Sequence, residues 1–178
     1  GRATQCKVHY CFCPSQKDGV LYAATHLSGP AVGDFLYSPW ADWSDSRKGF
    51  RGAALLAFDT KTDEVLWWDT IAPREGARCM AIDEERGRLY VVTYPRDHFI
   101  VYDIETRERR DLGRIGSINS QIIFTDRRGR AFTSNGNGQM LRYDPETDRL
   151  EEIQAYLPCE PYQTRYHSVF YDAVKSPE

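Results

Sequence analysis

No stretch of this chain approaches the roughly 18 consecutive apolar residues that a membrane-spanning helix needs. The opening residues "GRATQCKVHY" lack the charged segment followed by an apolar one that marks a secretory leader. Nothing in the sequence therefore asks for a membrane. An excess of basic charge is missing too: 23 Lys and Arg stand against 26 Asp and Glu, a formal net charge of −3, which speaks against nucleic acid as a partner. The basic clusters "RERR" (Arg107 to Arg110) and "RRGR" (Arg127 to Arg130) are interrupted by acids or sit on turns, and read as solvated surface. There is no Gly-rich phosphate loop, no Ser-His-Asp signature and no zinc-protease helix. The cysteines Cys6, Cys11, Cys13, Cys79 and Cys159 are odd in number and lack a paired C-x-x-C motif. Cys11 and Cys13 share one face of a strand, so a metal or redox role stands beside the favoured reading as small buried hydrophobes or a single disulfide. The chain starts without Met, as expected of a processed or trimmed product, which leaves localisation open.

What is present is a repeat. "GVLYAATH" (Gly19 to His26), "GRLYVVTY" (Gly87 to Tyr94) and "GRAFTSNG" (Gly129 to Gly136) superpose without gaps. Each begins with the glycine of a tight bend, "QKDG", "EERG" and "DRRG", suited to joining antiparallel strands. A further strand follows, ending in an aromatic residue and an aspartate: Asp59, Asp103 and Asp144, spaced 44 and then 41 residues apart. Thr62, Thr106 and Thr147 lie three positions on, so Asp and Thr can cap a turn there.

Four short β runs in about 40 to 45 residues is the period of a β-propeller blade. At 178 residues, 41% hydrophobic and 13% aromatic, the chain is expected to be one all-β domain over residues 1–178, a partial propeller of four-stranded antiparallel blades. Blade 1 is placed at about 5–72 with an insertion at 29–52, blade 2 at about 77–115 and blade 3 at about 119–156. The opening strand of a fourth is placed at about 164–174. Closed propellers typically have about four to eight blades, so either other polypeptide or another copy completes this disc, or the sheets pack less regularly. An unclosed blade exposes an apolar flank, which favours a partner.

The first strand of each blade lines the channel, so the start of strand one and the end of strand two meet on one face. In blade 1 these positions hold His9 and His26, which a hairpin centred between Lys17 and Asp18 sets directly opposite each other. Blade 2 brings Tyr94 beside Ala77 and Arg78, and Pro95 ends the ladder because it has no N–H. Blade 3 brings Asn135 beside Ser120 and Asn119, and His167 takes the corresponding place in the fourth. Each residue also has an ordinary structural reading, as packing, as a satisfied strand histidine or as a brace for nearby acids; "SNGNGQ" is equally a plain turn. Their coincidence at equivalent strand ends suits one chemistry. β-Elimination across a uronate needs a cation on the carboxylate, a base for the neighbouring proton and an acid for the leaving oxygen. Hydrolysis by paired carboxylates fits less well, because the acids cluster in turns and outer strands.

The segments "KVH" (Lys7 to His9), "DGVLYAATH" (Asp18 to His26) and "LYVVTYPRDHFIVYD" (Leu89 to Asp103) resemble the β-propeller polysaccharide lyases that cleave ulvan or rhamnose-glucuronate polymers. The resemblance spans roughly residues 5–115; those lyases are complete propellers in one polypeptide. It implies that His9 and His26 form a histidine pair, that Tyr94 is the acid or base, and that Arg78 holds the uronate carboxylate of a polysaccharide substrate. Asn119, Asn135, His167 and Trp40 would line the substrate site. A secreted or periplasmic location goes with it, and a divalent metal is compatible, although no clear ligand set stands out. The alternative is a non-catalytic glycan- or protein-binding module, with Tyr37, Trp40 and Trp43 of the insertion suited to sugar stacking. A purely architectural module, paired with another subunit through its open flank, is the third expectation.

Overall fold

The computed structural model describes residues 4–29, 52–116, 122–135 and 139–156. Twelve strands fall into three four-stranded antiparallel sheets, with no helix among the described residues. The first sheet runs β1 (Thr4–Pro14), β2 (Val20–Gly29), β3 (Gly52–Asp59), β4 (Glu64–Pro73). The second runs β5 (Gly76–Asp83), β6 (Arg88–Tyr94), β7 (His98–Asp103), β8 (Arg109–Arg114). The third runs β9 (Phe124–Thr125), β10 (Ala131–Ser134), β11 (Gln139–Asp144), β12 (Arg149–Tyr156). Each sheet meets its neighbours in sequence order, with β1 against β5 and β5 against β9, as in successive propeller blades. The expected opening strand of a fourth blade lies outside the described residues, as does most of the insertion between Gly29 and Gly52.

The repeat in the sequence is a repeat of turn chemistry. Gly19, Gly87 and Gly129 take φ of +77°, +62° and +75° in the three first hairpins, a region where a Cβ is strained. In the later hairpins, the Oδ1 atoms of Asp59, Asp103 and Asp144 accept backbone N–H bonds from Lys61 (2.7 Å), Glu105 (3.1 Å) and Glu146 (2.9 Å). A carboxylate that satisfies its own turn fixes the register of the two strands it joins.

Cross-strand registers assign the buried residues of each sheet to one or other of its two faces. Cys13, Tyr22, Ala24, Leu55 and Ala57 face blade 2, where they meet Met80, Leu89, Val91, Ile100 and Tyr102 in one buried cluster. From the other side of blade 2, Cys79, Tyr90, Val92, Phe99 and Val101 pack on Ala131, Leu141 and Tyr143 of blade 3. A fully buried Leu, Phe or Val side chain contributes about 1.5–3 kcal/mol, so these seams dominate stability. Cys11, Cys13 and Cys79 are therefore core hydrophobes; burial pushes the thiols of Cys11 and Cys79 up, away from the reactive thiolate.

Polar contacts stitch the same seams, from both sides. The hydroxyl of Tyr102 donates to Asp69 at 2.9 Å and Arg109 donates to the Thr70 carbonyl at 2.7 Å. One position further along the repeat, the Arg110 guanidinium donates to the Tyr143 hydroxyl at 3.2 Å and pairs with Asp148. The Tyr143 hydroxyl itself donates to Asp148 at 2.6 Å, and burial beside that carboxylate pushes the phenol up to about 12.

Glycines at equivalent turns face different surroundings. A Cβ on Gly129 would lie 2.2 Å from the Asp83 carboxylate, which also holds Arg86 and Tyr90, whereas a Cβ on Gly87 would meet nothing within 4 Å. Gly87→Ala is expected to cost about 1 kcal/mol, the strain of positive φ alone. Gly129→Ala should cost about 2–4 kcal/mol, because it also breaks the blade 2 to blade 3 seam. Urea unfolding midpoints of the two variants check the difference; equal losses would place no packing demand on Gly129.

Candidate functional site at the channel mouth

The seam between blades 1 and 2 brings four of the sequence-selected side chains together. The His9 and His26 ring centroids are 5.3 Å apart, and those of His26 and Tyr94 are 4.9 Å apart. Arg78 Nη1 lies 3.3 Å from His9 Nε2, and its guanidinium sits 5.8 Å from the Tyr94 ring centroid, within cation–π range. His26 Nδ1 lies 3.0 Å from the Ala77 carbonyl oxygen, which ties blade 1 to the first strand of blade 2. That approach depends on Gly76, since a Cβ there would fall 2.0 Å from the His26 carbonyl oxygen.

The way β1 delivers His9 differs from the simple hairpin count. Val8 pairs with Thr25 and Phe12 with Ala23, so four residues of β1 span what two residues of β2 span. The surplus is absorbed around Tyr10, whose φ is +47°. His26 therefore has no directly opposed partner at His9; a bulge swings the His9 ring across to it. In blade 2 Tyr94 is opposite Gly76, and a second register shift, between Ala77 and Cys79, brings in Arg78. Two bulges at equivalent strand starts build the cluster.

Asn135 does other work. Its Oδ1 accepts the Gln139 N–H at 3.1 Å, just as Thr93 Oγ1 accepts the His98 N–H at 2.9 Å and Thr25 Oγ1 accepts the Ala54 N–H at 2.9 Å. The seventh position of each repeat thus closes the turn into its third strand, and the aligned sequences explain Asn135 without a ligand. Asn119, His167 and Trp40, together with Tyr37 and Trp43, lie outside the described residues.

Exposure divides the cluster. His26 and Tyr94 are each only 4% exposed, while His9 and Arg78 are partly exposed at the surface. The surface therefore offers a guanidinium and an imidazole, a pair suited to an anionic or hydrogen-bond-accepting group. The phenol and second imidazole lie beneath. No group of three or more His, Cys, Asp and Glu gathers into a metal-binding arrangement among the described residues.

Two acids missing from the sequence reading lie behind the cluster. Asp97 is 1% exposed, and neither of its carboxyl oxygens has a hydrogen-bond partner. Burial raises it to about 6, with Arg114 pulling down, Glu75 pushing up, and Arg78 and His98 pulling down. Glu75 is 7% exposed, accepts the Thr93 hydroxyl and lies 3.5 Å from Arg96 Nε. It borders a cleft of about 330 Å³ that Thr93, His98 and Asp111 also line. The only signal for Asp97 in the sequence is an acid placed between two apolar strands, which is also how a solvated turn is written.

The raised Asp97 sets a direction of pH dependence. Its protonated form is favoured by the fold, so stability is fullest near and below 3.8 and falls as the pH rises through about 6. Asp97→Asn is expected to remove that fall and stabilise the protein above pH 6 by on the order of 2 kcal/mol. Urea midpoints measured from pH 4 to 8 test this; parallel profiles for the two proteins would show that the carboxyl imposes no cost.

No protein-family model matches the chain, and no curated protein matches its sequence. Its fold does have similar solved structures. Hydrazine synthase from Kuenenia stuttgartiensis superposes with a TM-score of 0.53 at 13% identity, over 89% of this chain and 40% of that one. A chain of a nidogen/laminin complex gives 0.53 at 14% identity, over 85% and 50%. The WD40 repeats of RRP9 give 0.51 at 13% identity, over 80% and 36%. This chain thus spans half or less of the length of each. Such identities speak to fold alone, and the fold they share with the three sheets described above is that of β-propeller blades.

Proposed function

We propose that this chain is a non-catalytic propeller module that binds a protein partner through its channel-mouth face and is completed by further polypeptide. The burial of Tyr94 and His26 carries this reading, since each is 4% exposed. A proton-transfer group must come within about 2.6–3.2 Å of the atom it serves, and these two are spent inside the seam between blades. What remains at the surface, His9 and Arg78, recognises rather than transforms. The nidogen/laminin structure is a complex of two proteins, which supports a binding role for the fold. Because recognition rests on a few surface groups, the double variant His9→Ala, Arg78→Ala should weaken capture of a cross-linked protein partner by on the order of 10-fold or more. Undiminished capture would remove the channel mouth from the interface.

A second reading keeps the chemistry suggested by the sequence. The contacts of Arg78 with His9 and the Tyr94 ring, and of His26 with the His9 and Tyr94 rings, bring together the set an elimination on a uronate polysaccharide requires. Incubation with uronate polymers, followed by the ultraviolet absorbance of an unsaturated uronate, separates the two readings. No product is expected. A product that forms with the natural chain and disappears in Tyr94→Phe would replace the binding module with a lyase.

A further inference from the structure

The cleft of about 330 Å³ beside the channel mouth is built around one acid. Glu75 lies between β4 and β5, and its backbone is fixed on both sides: its carbonyl accepts the Ala53 N–H at 2.8 Å, and its own N–H donates to the Ala72 carbonyl at 3.4 Å. Its carboxylate is fixed too. The Thr93 hydroxyl accepts the His98 N–H at 2.9 Å and donates to Glu75 Oε2, so the threonine that closes the turn of blade 2 also orients the acid. Oε1 is left for the cleft that Glu75 lines.

The cation beside Oε1 is a weak one. Arg96 Nε stands 3.5 Å away, and the Arg96 side chain is 69% exposed. That separation exceeds the roughly 2.7–3.2 Å of an N–H···O bond, and water screens an exposed guanidinium far more than it screens an enclosed carboxylate. The other cations of the cleft are engaged elsewhere: Arg109 donates to the Thr70 carbonyl at 2.7 Å, and His98 Nδ1 lies 2.8 Å from Asp111 Oδ2. Asp97 adds negative charge nearby. After its own burial and the pull of Arg114, the charge of Glu75 is the next influence on it. A buried carboxylate is costly unless a cation pairs with it closely, and among the described residues none does.

The walls suit a long basic side chain. Ala72, Pro73 and Ile100 give an apolar surface along which an alkyl stem can lie while its charged head reaches Glu75. A guanidinium is the group that Arg96 already presents to Oε1, and its planar fork of donors has a second acceptor in Asp111 on the same cleft. A metal ion fits less well, since no three His, Cys, Asp or Glu side chains gather among the described residues.

We infer that this cleft receives an arginine side chain of a protein partner, whose guanidinium pairs with Glu75 in place of Arg96. This rests on the reading that the channel-mouth face binds a protein, and names the group that the protein presents there. Glu75 and Thr93 adjoin Gly76 and Tyr94 in the chain, so a surface laid over the His9 and Arg78 cluster also meets the cleft.

N-acetyl-arginine amide, titrated into the full chain and followed through the backbone amide shifts of Thr93 and His98, is expected to bind saturably. N-acetyl-citrulline amide has nearly the same shape without the charge, and should bind on the order of 10-fold more weakly or worse. Glu75→Gln keeps an oxygen for the Thr93 hydroxyl but removes the charge, and should weaken arginine binding on the order of 30-fold. Arg96→Ala acts in the opposite direction. It removes the internal competitor, so arginine should bind a few-fold more tightly, and this exposed position keeps the test decisive should Glu75→Gln fail to fold. Equal binding of the two probes, or arginine binding that Arg96→Ala fails to tighten, would overturn the proposal. No saturable shift in a chain whose partner capture still falls with His9→Ala, Arg78→Ala would overturn the arginine site and leave the channel-mouth interface standing; arginine binding in a chain whose capture survives that double variant would do the reverse.

Discussion

A four-stranded blade has two apolar faces and can bury neither alone. That constraint organises the whole chain: Tyr90, Val92 and Phe99 are fully buried only because blade 3 lies against them, and Val91 and Ile100 only because blade 1 does. Stability in such an array is a sum of sheets and of the seams between neighbours. The candidate site is a by-product of one seam. His26 is held by the Ala77 carbonyl of the next blade, and Tyr94 packs on it from that blade, so the cluster exists only where two sheets meet.

Much of this was legible in the sequence because the determinants are short and repeated. The glycines at Gly19, Gly87 and Gly129, and the turn-closing carboxylates of Asp59, Asp103 and Asp144, mark hairpins through local chemistry that needs no knowledge of the rest of the chain. Once those hairpins are aligned, His9, His26, Arg78 and Tyr94 fall at equivalent strand ends. The details that bring them together were not legible. A bulge that adds two residues to β1 around Tyr10 obeys no motif, and a count from the turn passes straight over it.

Burial was the other blind spot. Asp97 and Glu75 sit between strands, where an acid is ordinarily solvated, yet both are enclosed. Asn135, read both as a site residue and as part of a plain turn, does close a turn: its amide oxygen stands where the hydroxyls of Thr25 and Thr93 stand in the other blades. Gly76 carried no signal, since its importance depends on a carbonyl 50 residues earlier in the chain.

The stitching between blades runs both ways. Tyr102 and Arg109 reach back to Asp69 and Thr70, and Thr125 donates back to the Ile82 carbonyl at 2.9 Å, while Arg110 reaches forward to Tyr143 and Asp148 and Arg86 to the Arg128 carbonyl. Donors on both sides of a seam make neighbouring sheets hold one another in place, so loss of one seam loosens the blade on either side of it.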